Sequence, residues 1–427
     1  MDALLLLLLT LIFISVLALK RDLPVCLVLL FGGLFFGLMN GSSFEQVILW
    51  TIEGMGKIFS SFALIILSGI VIMMLLAEQD LLEVIVATVS GRVHNTRITA
   101  CLLGYLLSVP TTCCLTTYMM VAPVVSHLEP DTIRSKDLLY LTAIGSIISY
   151  VLIFPTPATI PLLTTFAPDY PAVWFNAISI PISLFLVVLV LFATDRVFKT
   201  GKISTEPGGE QTNDKRSIPI ARDQYIRAWA PFCVILLMIP VGLFVLHLSH
   251  VSLMQVIMLA GLITALFLAP TSIRKKGFSN GAKLAGLILF DFSAAGALGT
   301  VIVRSGLADN CIQIFIPILP DILIPFVIAA VFATAQGSRV VTAVITTEIL
   351  SGTSIVHTIH PVPLILMVAA GTCCIPYFTD PYFWLVKKTT GDDIRTVLYK
   401  YTLPLAGFSI ILCIIALFLS YGIFPSP

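Results

Sequence analysis

Two apolar runs in this chain of 427 residues are broken by polar stretches: Ala100 to Val125 at Pro110-Thr111-Thr112, and Ile324 to Leu350 at Gln336-Gly337-Ser338. Each arm beside a break is about 11 to 14 residues, too short at 1.5 Å per residue to cross roughly 30 Å of hydrocarbon. Non-helical backbone at membrane depth is tolerated only where it is buried in protein or lines a watery cavity. The breaks therefore predict two re-entrant hairpins with Thr111-Thr112 and Gln336-Gly337-Ser338 at their tips, the alternative being a kink in an ordinary span. Hydroxyls and backbone N–H groups at helix N-termini carry partial positive charge outward, so the chemistry they offer is the holding of a small polar anion.

Charged residues within apolar runs are costly and are candidates by default. Asp291 lies within Leu284 to Val303, Glu348 in the returning arm of the second hairpin, and Asp380 directly before Pro381. Asp380 is the favoured proton-carrying or site-organising acid, with a helix cap below Pro381 as the other reading. Asp291 is a second candidate for proton coupling, or a structural partner of Arg339 or Arg304. Arg339 follows the second tip and can grip a carboxylate as a bidentate partner or pair with an intramembrane acid. His357 and His360 have no neighbouring carboxylate or cysteine partner, and the nine cysteines lack metal-ligand or disulfide-framework spacing, so no metal or other cofactor is expected.

These residues need a scaffold, and composition says which. With 58% hydrophobic and 11% charged residues and a net charge of +1, the chain falls outside the soluble globular range, and a nucleic-acid partner is not expected. Its partner is the lipid bilayer. Apolar spans read at Ala3 to Leu19, Leu23 to Met39, Ile58 to Leu76, Leu138 to Ile160, Val173 to Ala193, Trp229 to His247, Leu253 to Ala269, Leu284 to Val303, Pro363 to Val386 and Thr402 to Tyr421. The first is read as a retained span, because no basic residue precedes it and Lys20 and Arg21 follow. Polar residues 195–228 form a linker between 1–194 and 229–427.

A shift of 226 positions superposes the two halves. It places Lys57 on Lys283, Thr111-Thr112 on Gly337-Ser338, Gly145-Ser146 on Gly371-Thr372, and Pro155 on Pro381. The expected fold is an all-α polytopic membrane protein of two repeats, each of about five transmembrane helices with a re-entrant hairpin and an interrupted helix. An odd number of crossings inverts the second repeat. With the N-terminus outside, most basic residues, from Lys20-Arg21 through Arg274-Lys275-Lys276 to Lys400, fall on the cytoplasmic side. The hairpin tips would then meet helices interrupted at Gly145-Ser146 and Gly371-Thr372 near the midplane. Thr111, Thr112, Gly145, Ser146, Gln336, Gly337, Ser338, Arg339, Gly371 and Thr372 form the expected substrate-binding set, for a small anionic solute.

No HExxH, GxSxG or paired intramembrane aspartate motif supports an enzyme. An anion channel is a rival, since re-entrant hairpins also build filters. An internal inverted repeat favours alternating access, with sodium coupling as the close alternative to proton coupling.

Ala335-Gln336-Gly337-Ser338 and the run Asp380-Pro381-Tyr382-Phe383-Trp384-Leu385-Val386-Lys387 resemble the AQGS and D-x-x-FWLVK signatures of the gluconate:proton symporter family in the ion transporter superfamily. The resemblance extends over nearly the whole chain. It implies proton-coupled uptake of a sugar acid such as gluconate across the cytoplasmic (inner) membrane, by a homodimer of inverted repeats. Two features depart from the family pattern: Pro110 to Pro123 has no acid, and the turn Phe154-Pro155-Thr156-Pro157-Ala158-Thr159 has no histidine.

Overall fold

A chain this apolar must satisfy its backbone polar groups within its own segments, and every regular element among the described residues is a helix. The computed structural model describes residues 3–19, 23–90, 95–109, 111, 113–126, 128–129, 131–168, 170–198, 221–248, 250–305, 319–377 and 379–424. The first half contains α1 (Ala3–Leu19), α2 (Val25–Met39), α3 (Phe44–Ala77), α4 (Leu81–Ser90), α5 (Thr96–Ser108), α6 (Cys114–Ser126), α7 (Thr132–Leu152), α8 (Ile160–Phe166) and α9 (Ala172–Phe198). The second contains α10 (Arg222–Pro240), α11 (His250–Leu268), α12 (Thr271–Arg304), α13 (Ile324–Gln336), α14 (Arg339–Ser351), α15 (Pro361–Gly371), α16 (Pro381–Thr390) and α17 (Leu403–Gly422). Most of the expected linker lies outside the described residues.

Short helices flank both expected breaks, α5 and α6 in the first half and α13 and α14 in the second. These four helices are 13 residues each, or about 20 Å. α3 and α12 are 34 residues each, about 51 Å, and begin well before the apolar spans expected at Ile58 and Leu284. The extension of α3 into polar sequence is explained at its start, where Ser43 and Gln46 form a capping box. By length and hydropathy, Phe44–Ala77, Ala172–Thr194, Thr271–Arg304 and Ile394–Gly422 are each able to cross a bilayer, and the chain is a multi-pass membrane protein. The expected span Pro363 to Val386 is instead two short helices, α15 and α16, separated by residues 372–380. α4 falls between the apolar stretches read from the sequence at Ile58 to Leu76 and Ala100 to Val125.

Without a strong hydrophobic drive between helices in lipid, close backbone contact at small residues decides which helices pair. α3 lies along α12, where a Cβ on Gly54 would stand 2.5 Å from the Gly296 carbonyl. α5 crosses α7 the same way: a Cβ on Gly104 would overlap the Thr142 carbonyl, and one on Gly145 the Cys101 carbonyl. Gly371 repeats this contact in the second half, against the Phe326 carbonyl of α13.

That packing corrects one expectation. Gly145-Ser146 does not interrupt a helix, because α7 runs unbroken from Thr132 to Leu152. The first-half break falls at residues 153–159. There Asn176 accepts from the Phe154 N–H at 2.9 Å and donates to its carbonyl at 2.7 Å, while Thr156 Oγ1 donates to the Tyr150 carbonyl at 2.6 Å. Glycine at 145 serves helix contact, whereas Gly371-Thr372 does stand at the second-half break.

Candidate functional site

The second hairpin turns at Gly337, whose φ of +76° ends α13. Ser338 then caps α14, its Oγ accepting from the Val341 N–H at 3.4 Å, and places Arg339 in the first helical position. The tip is seated on the break between α15 and α16. A Cβ on Gly337 would overlap the Thr379 carbonyl, and Thr379 Oγ1 donates to the Thr334 carbonyl at 2.8 Å.

This seating brings Arg339 onto Asp380. Asp380 Oδ1 accepts from the Tyr382 N–H at 2.9 Å and caps α16. Oδ2 receives Arg339 Nη2 at 3.0 Å and the Tyr401 hydroxyl at 3.0 Å, and Arg339 Nη2 also donates to Tyr401 Oη at 3.2 Å. One oxygen therefore caps α16, as one sequence reading of Asp380 expected, while the other holds a buried cation. The two side chains are only 5% and 3% exposed, so removing either partner would strand a charge at a cost of about 3–5 kcal/mol. Arg339 Nε is buried with no hydrogen-bond partner among the described residues. Two helix N-termini, those of α14 and α16, begin at this point and add positive potential.

Aromatic side chains enclose the pair. The Arg339 guanidinium lies 6.0 Å from the centroid of Tyr382, whose ring packs edge-on against Tyr118 and Tyr401. The Tyr382 hydroxyl is 2.7 Å from Ser146 Oγ, so α7 reaches the site through Ser146 rather than through a helix break. α7 is also tied to the same segment nearer its start. Lys136 pairs with Asp392 at 2.7 Å, Lys400 with Asp137 at 2.7 Å, and Tyr140 donates to Asp392 at 3.0 Å.

The other expected site residues lie apart from this cluster or face inward. Thr111 Oγ1 donates to the Ser108 carbonyl at 3.1 Å and is satisfied within its own hairpin. Thr112 lies outside the described residues, as does the side chain of Gln336. Thr372 Oγ1 donates back to the Ala369 carbonyl at 2.7 Å, and Gly371 is buried in its helix crossing. Asp291 pairs with neither Arg339 nor Arg304. It accepts from the Cys26 N–H at 2.9 Å and caps α2, while Arg304 pairs with Glu53. Glu348 pairs with Lys57 at 2.7 Å. Among the described residues, no group of three or more His, Cys, Asp or Glu could hold a metal ion.

Tyr401 is the residue that sequence reasoning missed. It sits at the edge of the last apolar span, where an aromatic residue reads as an interface anchor, and no local signal connects it to Asp380. Substituting Tyr401→Phe removes a hydrogen bond to a buried carboxylate, with an expected loss of about 1.5–3 kcal/mol of stability. Thermal unfolding in detergent checks this, and an unchanged midpoint would mean that the hydroxyl contributes little.

Residues 2–422 match the profile of the GntP family of permeases. An uncharacterized permease of Haemophilus influenzae is 24% identical over 418 residues, covering 88% of this chain and 85% of that protein. Among solved structures, Neisseria gonorrhoeae MtrF, described with a class of antimetabolite efflux pumps, has a TM-score of 0.58 at 14% identity, covering 89% of this chain and 86% of its own. The Alcanivorax borkumensis YdaH transporter has a TM-score of 0.58 at 13% identity, covering 89% and 90%.

Proposed function

The chain belongs to the GntP family of permeases and is a membrane transporter, not an enzyme, and from that premise we propose proton-coupled symport of a small carboxylate, such as gluconate or a related sugar acid, across the cytoplasmic membrane. The observation that carries this reading is the buried Arg339–Asp380 pair where the second hairpin tip meets the α15–α16 break. A proton on Asp380 removes the counter-ion of Arg339, and a lone buried cation is unfavourable in a low-dielectric site. A carboxylate that accepts from Arg339 Nε, which has no partner among the described residues, restores neutrality. Proton alone or anion alone leaves one uncompensated charge, so the two bind better together, which is the linkage that coupling requires.

The paired element lengths support two repeats, 1–194 and 229–427, inverted about the membrane plane, with the hairpins re-entrant and the site alternately open to each side. The basic residues support an outside N-terminus. A homodimer is the working unit by resemblance to the family.

The test is uptake of labelled gluconate and a panel of small hydroxy acids into proteoliposomes under an imposed proton gradient and, separately, a sodium gradient. Accumulation driven by protons alone is the expected outcome. Accumulation driven only by sodium would replace the coupling ion, and equilibration independent of both gradients would favour a channel or facilitator.

A further inference from the structure

α3 and α12 have the same length but begin differently. The start of α3 is closed by its own chain, with the Ser43–Gln46 capping box and Glu45 in the first turn. α12 follows Pro270 with no side-chain cap and no acidic residue in its first turn, so its own first turn supplies no anion to the leading N–H groups and dipole. A groove of about 970 Å³ runs along this end, lined by Thr271, Arg274, Lys275 and Lys283 beside the apolar Leu266 and Phe278. Neighbouring Lys276 is neutralised by Glu78 at 2.7 Å. Lys275 and Lys283 are exposed and make no ion pair among the described residues. Arg274 donates Nη2 to the Ala269 carbonyl at 3.1 Å, and its Nε is buried without a partner among the described residues.

We infer that this groove binds an anionic glycerophospholipid, its phosphate set against the start of α12, Arg274 and Lys275, and its acyl chains along Leu266 and Phe278. The requirement for both an anion and an apolar tail selects lipid over a soluble phosphate. The groove lies at the end of a helix able to cross the bilayer, where basic pockets between helices meet headgroups. Lys283 lies two turns further along the helix, where its long side chain reaches back toward the headgroup.

The test uses the full-length protein in nanodiscs of phosphatidylcholine with a minor fraction of phosphatidylglycerol, and counts retained lipids by native mass spectrometry. The wild type is expected to retain phosphatidylglycerol selectively, and K275Q/K283Q to lose that selectivity about tenfold or more. The control is R134Q/R227Q, which removes two exposed arginines that already pair with carboxylates. Equal retention by K275Q/K283Q and wild type overturns the inference. An equal loss in the control reduces it to bulk surface charge and overturns it as well. Displacement of the lipid by excess inorganic phosphate would show that the apolar wall contributes nothing, and would also refute it. Equal melting temperatures for the variants establish that retention is read on folded protein.

Discussion

Replacing Asp380 by asparagine is expected to abolish proton-driven accumulation, by about 100-fold or more, while leaving α16 in place. Asparagine is as good an N-cap as aspartate, so its side-chain oxygen still accepts from the Tyr382 N–H. What it loses is the charge facing Arg339. Stranding that cation costs about 3–5 kcal/mol, and 1.4 kcal/mol is a factor of ten, which sets the scale of the effect. A permanently neutral side chain also mimics the protonated state. Exchange of labelled for unlabelled substrate, which needs no net proton movement, should therefore survive in D380N when accumulation is lost. Arg339→Gln combined with D380N removes both charges, and should fold at least as well as either single variant while binding no anion. Wild-type accumulation by D380N at normal membrane levels would reduce Asp380 to a cap, and the coupling step would have to lie elsewhere.

Gly337→Ala is the second large effect, this time on the fold around the site. Gly337, with φ +76°, and Gly391, with φ +68°, both have a left-handed backbone. The backbone penalty of an alanine is similar at both, about 1 kcal/mol. Their surroundings differ. A Cβ on Gly391 meets nothing within 4 Å, whereas one on Gly337 collides with the Thr379 carbonyl and with the backbone nitrogen of Asp380 at 2.6 Å. Neither neighbour is a flexible side chain, so the hairpin tip must lift off the α15–α16 break, and Ser338 and Arg339 move with it. Thermal unfolding and uptake should both fail in G337A and be nearly normal in G391A. Equal behaviour of the two would show that the tip is not rigidly seated.

Much of the frame was legible because it follows from local rules. The chain leaves helix between α5 and α6 and between α13 and α14, where polar residues interrupt the two apolar runs and, at the second, Gly337 takes a left-handed backbone. The second interrupted helix was also visible, with Pro381 marking where α16 starts. The failures share a cause. A glycine in an apolar run signals either a break or a close helix crossing, and Gly145 proved to be the second because Cys101 of α5 lies against it. Asp291 had the same ambiguity as an intramembrane acid, and it was resolved by the N-terminus of α2, 265 residues away in sequence. The hydropathy windows also clipped α3 and α12, because they register apolar content alone; at α3 the Ser43–Gln46 capping box lets the helix extend into polar sequence.

The sequence by itself determined that this chain lives in lipid, that polar residues break two of its apolar runs, and that Arg339 and Asp380 are the charges to follow. Those conclusions rest on solvent preference and short-range backbone chemistry, which act over a few residues. Only the tertiary structure decided that Arg339 and Asp380 face one another, that Tyr401 completes the cluster, that Ser146 reaches it through Tyr382, and that Asp291 and Glu348 are engaged elsewhere. Partner choice among buried charges is a long-range matter: each must find whichever opposite group the helix crossings bring within about 3 Å, and those crossings are set by backbone contacts between segments distant in sequence.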